Sequence, residues 1–207
     1  MEPFRSAEGI AIPFDRVNVD TDQIIPARFI MKPRDYDYSR LLFHDLRFGP
    51  RAEPSFPLDL PAYRDARIMV TGVNFGCGSA REQAAYALHD FGIRALIGPS
   101  FGGIFHTNCT KNGILLAQVA VEIAAALCAA LRTKPMGTIA VELERQTVVG
   151  PDGHAIPFQI SDGDKAQLLS GKDDITRTLE HEDRIDAFER NHARACEWSR
   201  PPLEKAR

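Results

Sequence analysis

The residues best equipped for chemistry in this 207-residue chain lie together in Gly72-Val73-Asn74-Phe75-Gly76-Cys77-Gly78-Ser79-Ala80-Arg81-Glu82. A β-branched apolar run from Arg67 to Val73 leads in, and Ala80, Ala84, Ala87, Leu88 and Phe91 follow at helical spacing, with Gly92 as the stop. Strand, glycine turn and helix start in that order aim backbone N–H groups outward, where the helix dipole favours an anion. Gly76 and Gly78 let the backbone approach a ligand closely. Arg81 adds a cation whose planar fork suits a carboxylate. The predicted ligand is anionic. Ser79 has two readings at this point: Ser79-x-x-Glu82 has the form of a capping box, so the hydroxyl either closes the helix terminus or serves the ligand. The segment lacks the third glycine of a dinucleotide fingerprint, the Gly-Lys-Ser/Thr of a phosphate loop and the G-x-S-x-G of an esterase.

The surrounding pattern supplies the elements that must hold this loop. Gly9 to Phe14 predicts a first strand, ending in Val17-Asn18-Val19-Asp20-Thr21-Asp22-Gln23-Ile24-Ile25-Pro26, where acids interrupt apolar runs as in a tight polar turn. From about residue 31 to 63 the chain becomes irregular, with Pro33, Pro50, Pro54, Pro57 and Pro61 among many charges, and reads as a lid, an interaction surface or a solvated connector. Strand and helix then alternate: Arg67 to Val73, the helix to Phe91, Ala95 to Gly98, a short helix closed by Gly113, Ile114 to Val119, and a helix with Ile123, Ala124, Leu127, Cys128 and Leu131 on one face. Such alternation calls for parallel crossovers. Beyond Pro135, Thr138 to Leu143, Thr147 to Val149 and Phe158 to Ile160 predict antiparallel strands, and charged helices near 164–169 and about 174–195 complete the chain. The fold class is α/β.

Composition excludes several function classes. A net charge of −3 gives no electrostatic case for nucleic acid or an anionic membrane. Gly113 to Leu131 is nearly apolar, but Gln118 and Glu122 interrupt it, and a strand followed by a core helix explains it better than a membrane span. The opening residues show no basic segment followed by an apolar run, so no secretory leader and a reducing cytoplasm are expected. Cys77, Cys109, Cys128 and Cys196 form no C-x-x-C pair, which argues against a self-contained metal or cluster site in this chain. His106-x-x-Cys109 has no matching second pair, Cys128 falls in an apolar stripe, and His181-Glu182-Asp183 belongs to a charged helix.

Asn74 to Glu82 resembles the signature of the aconitase superfamily's swivel domain, and the form with Cys77 between glycines is similar to that of isopropylmalate dehydratase small subunits. Asp20-Thr21-Asp22-Gln23-Ile24-Ile25-Pro26-Ala27-Arg28-Phe29, Leu42 to Phe48, Pro61 to Arg64, Asp90 to Ala95, Asn112 to Leu115, and the tail through Asp183 resemble family segments in the same order, over about residues 8 to 190. The resemblance implies a swivelling β/β/α fold across residues 1–207, with a mixed sheet, flanking helices and a C-terminal helical tail. It implies a hydro-lyase that isomerises a hydroxy diacid, here 2- and 3-isopropylmalate of leucine biosynthesis, by removing and re-adding water. The [4Fe–4S] cluster would sit in a large partner subunit, with no metal or cofactor bound by this chain. Ser79 matches the family's alkoxide base, Arg81 the arginine that holds a substrate carboxylate, and Asp22 an active-site aspartate. Arg28 could reach the second carboxylate, and Gly78 lies in the binding loop. Family members usually carry serine where this chain has Ala80, and bulkier residues where it has Gly102-Gly103. A paralogous small subunit for a citramalate-type or dimethylmalate-type substrate, or a catalytically silent anion-binding module, are the competing expectations.

Overall fold

Period-two alternation along four short parallel strands sorts the core onto two faces of one sheet. In the computed structural model, which describes residues 1–50, 52–196 and 198, these strands are β1 (Ser6–Phe14), β2 (Ile68–Thr71), β3 (Ala95–Gly98) and β4 (Leu115–Gln118). Ile12, Phe14, Met69, Leu96 and Leu116 point to one face; Ala11, Ile68, Val70, Ala95, Ile97, Leu115 and Ala117 point to the other. Three antiparallel strands extend the sheet beyond β1: β5 (Thr138–Glu142), β6 (Thr147–Val149) and β7 (Ala155–Pro157), giving the order β4-β3-β2-β1-β5-β6-β7. The predicted strand over Phe158 to Ile160 is displaced. The ladder stops at Pro157, Phe158 turns into the core, and Gln159 pairs singly with Gln118.

Helices cover both faces. On the first lie two four-residue turns, α1 (Thr21–Ile24) and α2 (His44–Arg47), then α3 (Glu82–Phe91) and α4 (Gly103–Lys111). On the second lie α5 (Val121–Thr133), which buries Ala124, Leu127, Cys128 and Leu131 as its periodicity requires, and α6 (Asp162–Ser170), which contributes Leu168. Gly92 adopts φ +115° and closes α3 as a left-handed cap.

The proline-rich segment between β1 and β2 is neither a free lid nor a solvated connector. It runs through short helical turns and buries Tyr38, Leu41, Leu42, Phe43, Phe56 and Leu58 against the first face. Its rings interlock with those of the sheet and helices. Phe14 lies 4.9 Å from Phe43 and 6.2 Å from Phe75, and Phe75 lies 5.6 Å from Phe105. The glycine loop that follows β2 is thereby anchored at Phe75.

The described residues up to Gly171 form one compact unit and those from Lys172 onward a second. Where one tail helix is predicted, two are present within the second unit: α7 (Asp174–Leu179), capped by the Asp173 carboxylate on the Thr176 N–H at 2.7 Å, and α8 (Glu182–Ala195). Among the described residues no helix is long and apolar enough to cross a membrane.

Candidate active site

The loop leaves the C-terminal end of β2, the edge at which ligands bind in open parallel sheets. Three positions force its path. Asn74 and Gly76 take positive φ, at +60° and +73°. A Cβ on Gly76 would stand 2.2 Å from the Phe105 ring, so only glycine fits while Phe105 fills the core. Gly102 is equally constrained, because its Cβ would meet the Gly76 carbonyl at 2.2 Å. The Gly102 N–H instead donates to the Phe75 carbonyl at 2.9 Å, which seats the start of α4 beside the loop. Gly103, the first residue of α4, has open space where a side chain would be.

The segment carrying Asp20 and Asp22 runs along the other side. The Gly76 N–H donates to the Val19 carbonyl at 2.7 Å, and the Thr21 N–H donates to the Cys77 carbonyl at 2.9 Å. The Asp20 carboxylate accepts from the Gln23 N–H at 2.7 Å and caps α1, so this acid is structural. Buried Thr21 places its hydroxyl 3.0 Å from the Ser79 carbonyl and 3.2 Å from Ser79 Oγ. Sequence reasoning did not single out Thr21, whose hydroxyl makes it a further candidate site residue. The signal was present, since it lies between the two acids of the matched segment.

Ser79 does not cap a helix. α3 begins at Glu82 with an extended Arg81 in the N-cap position and no side-chain cap. Glu82 does not reach back as a capping box requires; its carboxylate accepts from Asn112 Nδ2 at 3.1 Å. Gly78, Ser79 and Ala80 are exposed, and Gly78 bends the chain at φ +92°. The Ser79 hydroxyl stands on the exposed part of the loop, 3.2 Å from the Thr21 hydroxyl.

Asp22 and Arg81 are brought together. Arg81 Nη1 donates to Asp22 Oδ1 and, at 3.0 Å, to the Ile25 carbonyl, while Asp22 Oδ1 also accepts from the Ala27 N–H at 2.9 Å. The Arg81 guanidinium, then the Ala27 N–H, hold the Asp22 carboxyl below its ordinary pKa. The Arg81 side chain is only 16% exposed, so its head is fixed in place. Arg28 stands apart from this pair in its bonding. Its fork closes on Asp45, with Nη1 2.9 Å from Oδ2 and Nη2 on Oδ1, and the guanidinium lies over the Phe29 ring at 4.5 Å. Arg28, then His44, lowers the Asp45 pKa to about 2.

No group of three His, Cys, Asp or Glu side chains that could hold a metal occurs among the described residues. Cys109 and Cys128 are buried in the two separate core clusters, and burial raises both thiol pKa values, that of Cys128 to about 11. Cys77 lies half-buried in the loop.

This arrangement has known counterparts. A sequence profile of the aconitase C-terminal domain matches residues 1–122, and a profile of the C-terminal domain of the 3-isopropylmalate dehydratase small subunit matches residues 174–198. The 3-isopropylmalate dehydratase small subunit of Rhodospirillum rubrum is 46% identical over 209 residues, covering 100% of both chains. That of Dinoroseobacter shibae is 45% identical over 200 residues, covering 96% of this chain and 100% of the relative. A crystal structure of 3-isopropylmalate dehydratase from Methanocaldococcus jannaschii superposes with a TM-score of 0.63 at 24% identity, covering 89% of this chain and 99% of that one, so the α/β fold is shared. With the matched profiles covering both the loop-bearing half and the tail, the chain belongs to the 3-isopropylmalate dehydratase small-subunit family, of the aconitase C-terminal domain type.

Proposed function

We propose that this chain is the small subunit of a hydro-lyase that interconverts 2- and 3-isopropylmalate in the cytoplasm, as a step of leucine biosynthesis, with an active site completed by a large subunit. The observation that carries the reading is the exposed Ser79 hydroxyl, freed from any capping duty and held beside a fixed arginine. Ser79, as alkoxide, takes the proton from the carbon next to a substrate carboxylate; hydroxide departs from the neighbouring carbon, and water adds back at the other position. A serine alkoxide forms only with strong anion stabilisation. Thr21 Oγ1, Arg81 and the N-terminal turn of α3 supply it.

Asp22 is assigned to positioning Arg81. It holds the guanidinium through Nη1, which leaves Nη2 and Nε for a substrate carboxylate. Gly78 contributes backbone that a ligand can approach without meeting a side chain. Arg28 takes the second carboxylate by exchanging Asp45 for it. The chain's cysteines do not converge, so the [4Fe–4S] cluster, whose Lewis-acidic iron would take up the departing hydroxide, is assigned to the large subunit. The exposed loop and the relatives' designation as small subunits support a hetero-oligomer.

A second reading, a paralogue acting on another hydroxy diacid such as citramalate, is favoured by Ala80, which stands where family members usually carry serine. Anaerobic co-expression with the cognate large subunit, followed by alkene formation from 3-isopropylmalate and citramalate, separates the two. Turnover of 3-isopropylmalate is the expected result. Turnover of citramalate alone would favour the paralogue, and no turnover from a cluster-loaded complex would make the chain a silent binding module.

A further inference from the structure

The parallel strands have a second, opposite edge, and a cavity of about 560 Å³ opens there. Arg67 immediately precedes β2 and Arg94 immediately precedes β3. Because Ile68 pairs with Ala95 in parallel register, the two arginines enter the sheet side by side. Their backbones are joined as well, through the Arg94 N–H donating to the Arg67 carbonyl at 2.8 Å. The Ser79 loop leaves the far end of β2, so this cavity belongs to a different edge of the sheet.

The lining is cationic. Arg34, Arg67, Arg94 and Lys111 contribute positive side chains, His89 an imidazole, and Glu2 a carboxylate. Arg34 is satisfied by Asp90 through two bonds of 3.1 Å. Arg94 is bonded differently: its Nη1 donates to the carbonyls of His89 and Ile93, at 2.8 and 3.1 Å, which fix the head without neutralising it. Burial, followed by the nearby Arg67 charge, pushes the Arg94 pKa below its ordinary value. Burial, then Arg94, does the same for His89, which favours the neutral ring. The Arg67 stem lies over Gly9, where a Cβ would come within 3.1 Å of it, so the missing side chain makes room for the stem. Two arginines side by side repel one another, and an anion between them reverses the sign of that term. The volume falls in the range of small-molecule sites.

We propose that this cavity binds a small anion carrying at least two negative charges, gripped by Arg67 and Arg94, at a site separate from the Ser79 loop. Phosphate-bearing and polycarboxylate metabolites share that chemistry. The test is calorimetric titration of the full chain in low-salt buffer with pyrophosphate and with citrate, on wild type and on Arg67→Gln, Arg94→Gln and Arg81→Gln. Arg67 is exposed, so its variant is expected to fold, and an unchanged circular dichroism melt checks this for both cavity variants. The expected result is saturable binding that weakens by about tenfold or more in each of the first two variants and is retained in Arg81→Gln. Whichever anion binds more tightly identifies the source. Absence of saturable binding to wild type, or affinity unchanged in Arg67→Gln, would overturn the proposal. Because Arg81→Gln removes the cation assigned to the dehydratase substrate, binding lost only there would reassign the anion to the Ser79 site.

Discussion

At the scale of single residues, the central pairing is between two hydroxyls. Thr21 is buried, hydrogen-bonded through its backbone to Cys77, and placed with its side chain 3.2 Å from Ser79 Oγ. The Thr21 hydroxyl donates to the Ser79 carbonyl in the resting loop, and if Ser79 works as an alkoxide the same proton can turn to Ser79 Oγ. Replacing Thr21 with isosteric valine keeps the packing and removes the donor. Thr21→Val is expected to lower kcat on the order of 10²-fold with a smaller change in KM, measured on the complex with the large subunit. The Arg28–Asp45 pair gives a check on the electrostatics alone. The Asp45 pKa is lowered from 3.8 to about 2, so the pair's contribution to stability is fully present above about pH 4. It is lost as the pH falls from 4 towards 2, and it is small because both side chains are exposed. An NMR pH titration should find Asp45 titrating near 2 in the wild type and higher in Arg28→Ala, where His44 alone still lowers it.

At the scale of elements, the site depends on how the loop is pinned between β2, α1 and α4. Gly76→Ala forces a Cβ into the Phe105 ring at a φ that side chains disfavour, and is expected to cost about 1–3 kcal/mol. Thermal denaturation should show it as a loss of about 2–4 °C per kcal/mol. Gly103 is the converse case. Its position in the first turn of α4 is open, so Gly103→Ala is expected to stabilise the chain by about 0.4–1 kcal/mol while narrowing the space beside the loop. A higher KM for bulky substrates, with a raised melting temperature, is the measurable signature.

These elements also show what the chain's pattern could reveal. The strand–glycine–helix order around Gly76 and Gly78, and the apolar stripe of α5, were legible because local periodicity and backbone chirality determine them. The capping reading of Ser79 was equally local and did not form, because Arg81 is drawn into extended geometry while its head bonds Asp22 and Ile25. Those partners lie 59 and 56 residues away in the chain, beyond the reach of a local motif. The burial of the proline-rich segment was not legible for a related reason. Tyr38, Phe43 and Phe56 are too widely spaced to show a period, and only the completed sheet face brings their rings together. The split of the tail into α7 and α8 left no mark in composition.

At the scale of the whole molecule, one sheet serves two edges. The C-terminal edge of its parallel half carries the loop of Ser79 and Arg81 with Asp22 of α1 bonded beside it, and the N-terminal edge carries the paired arginines. In the proposed enzyme the first edge is half of an active site, the large subunit supplies the other half, and the isolated chain is inactive. The central claim is that Ser79 abstracts the proton. The measurement that tests it most directly is the rate of alkene formation from 3-isopropylmalate by anaerobically reconstituted, cluster-loaded complexes of the wild type and Ser79→Ala, with assembly verified by size-exclusion chromatography. A fall in kcat on the order of 10²–10⁴-fold with assembly intact is the predicted result. Wild-type turnover in an equally assembled Ser79→Ala complex would contradict it and assign the proton transfer to another group.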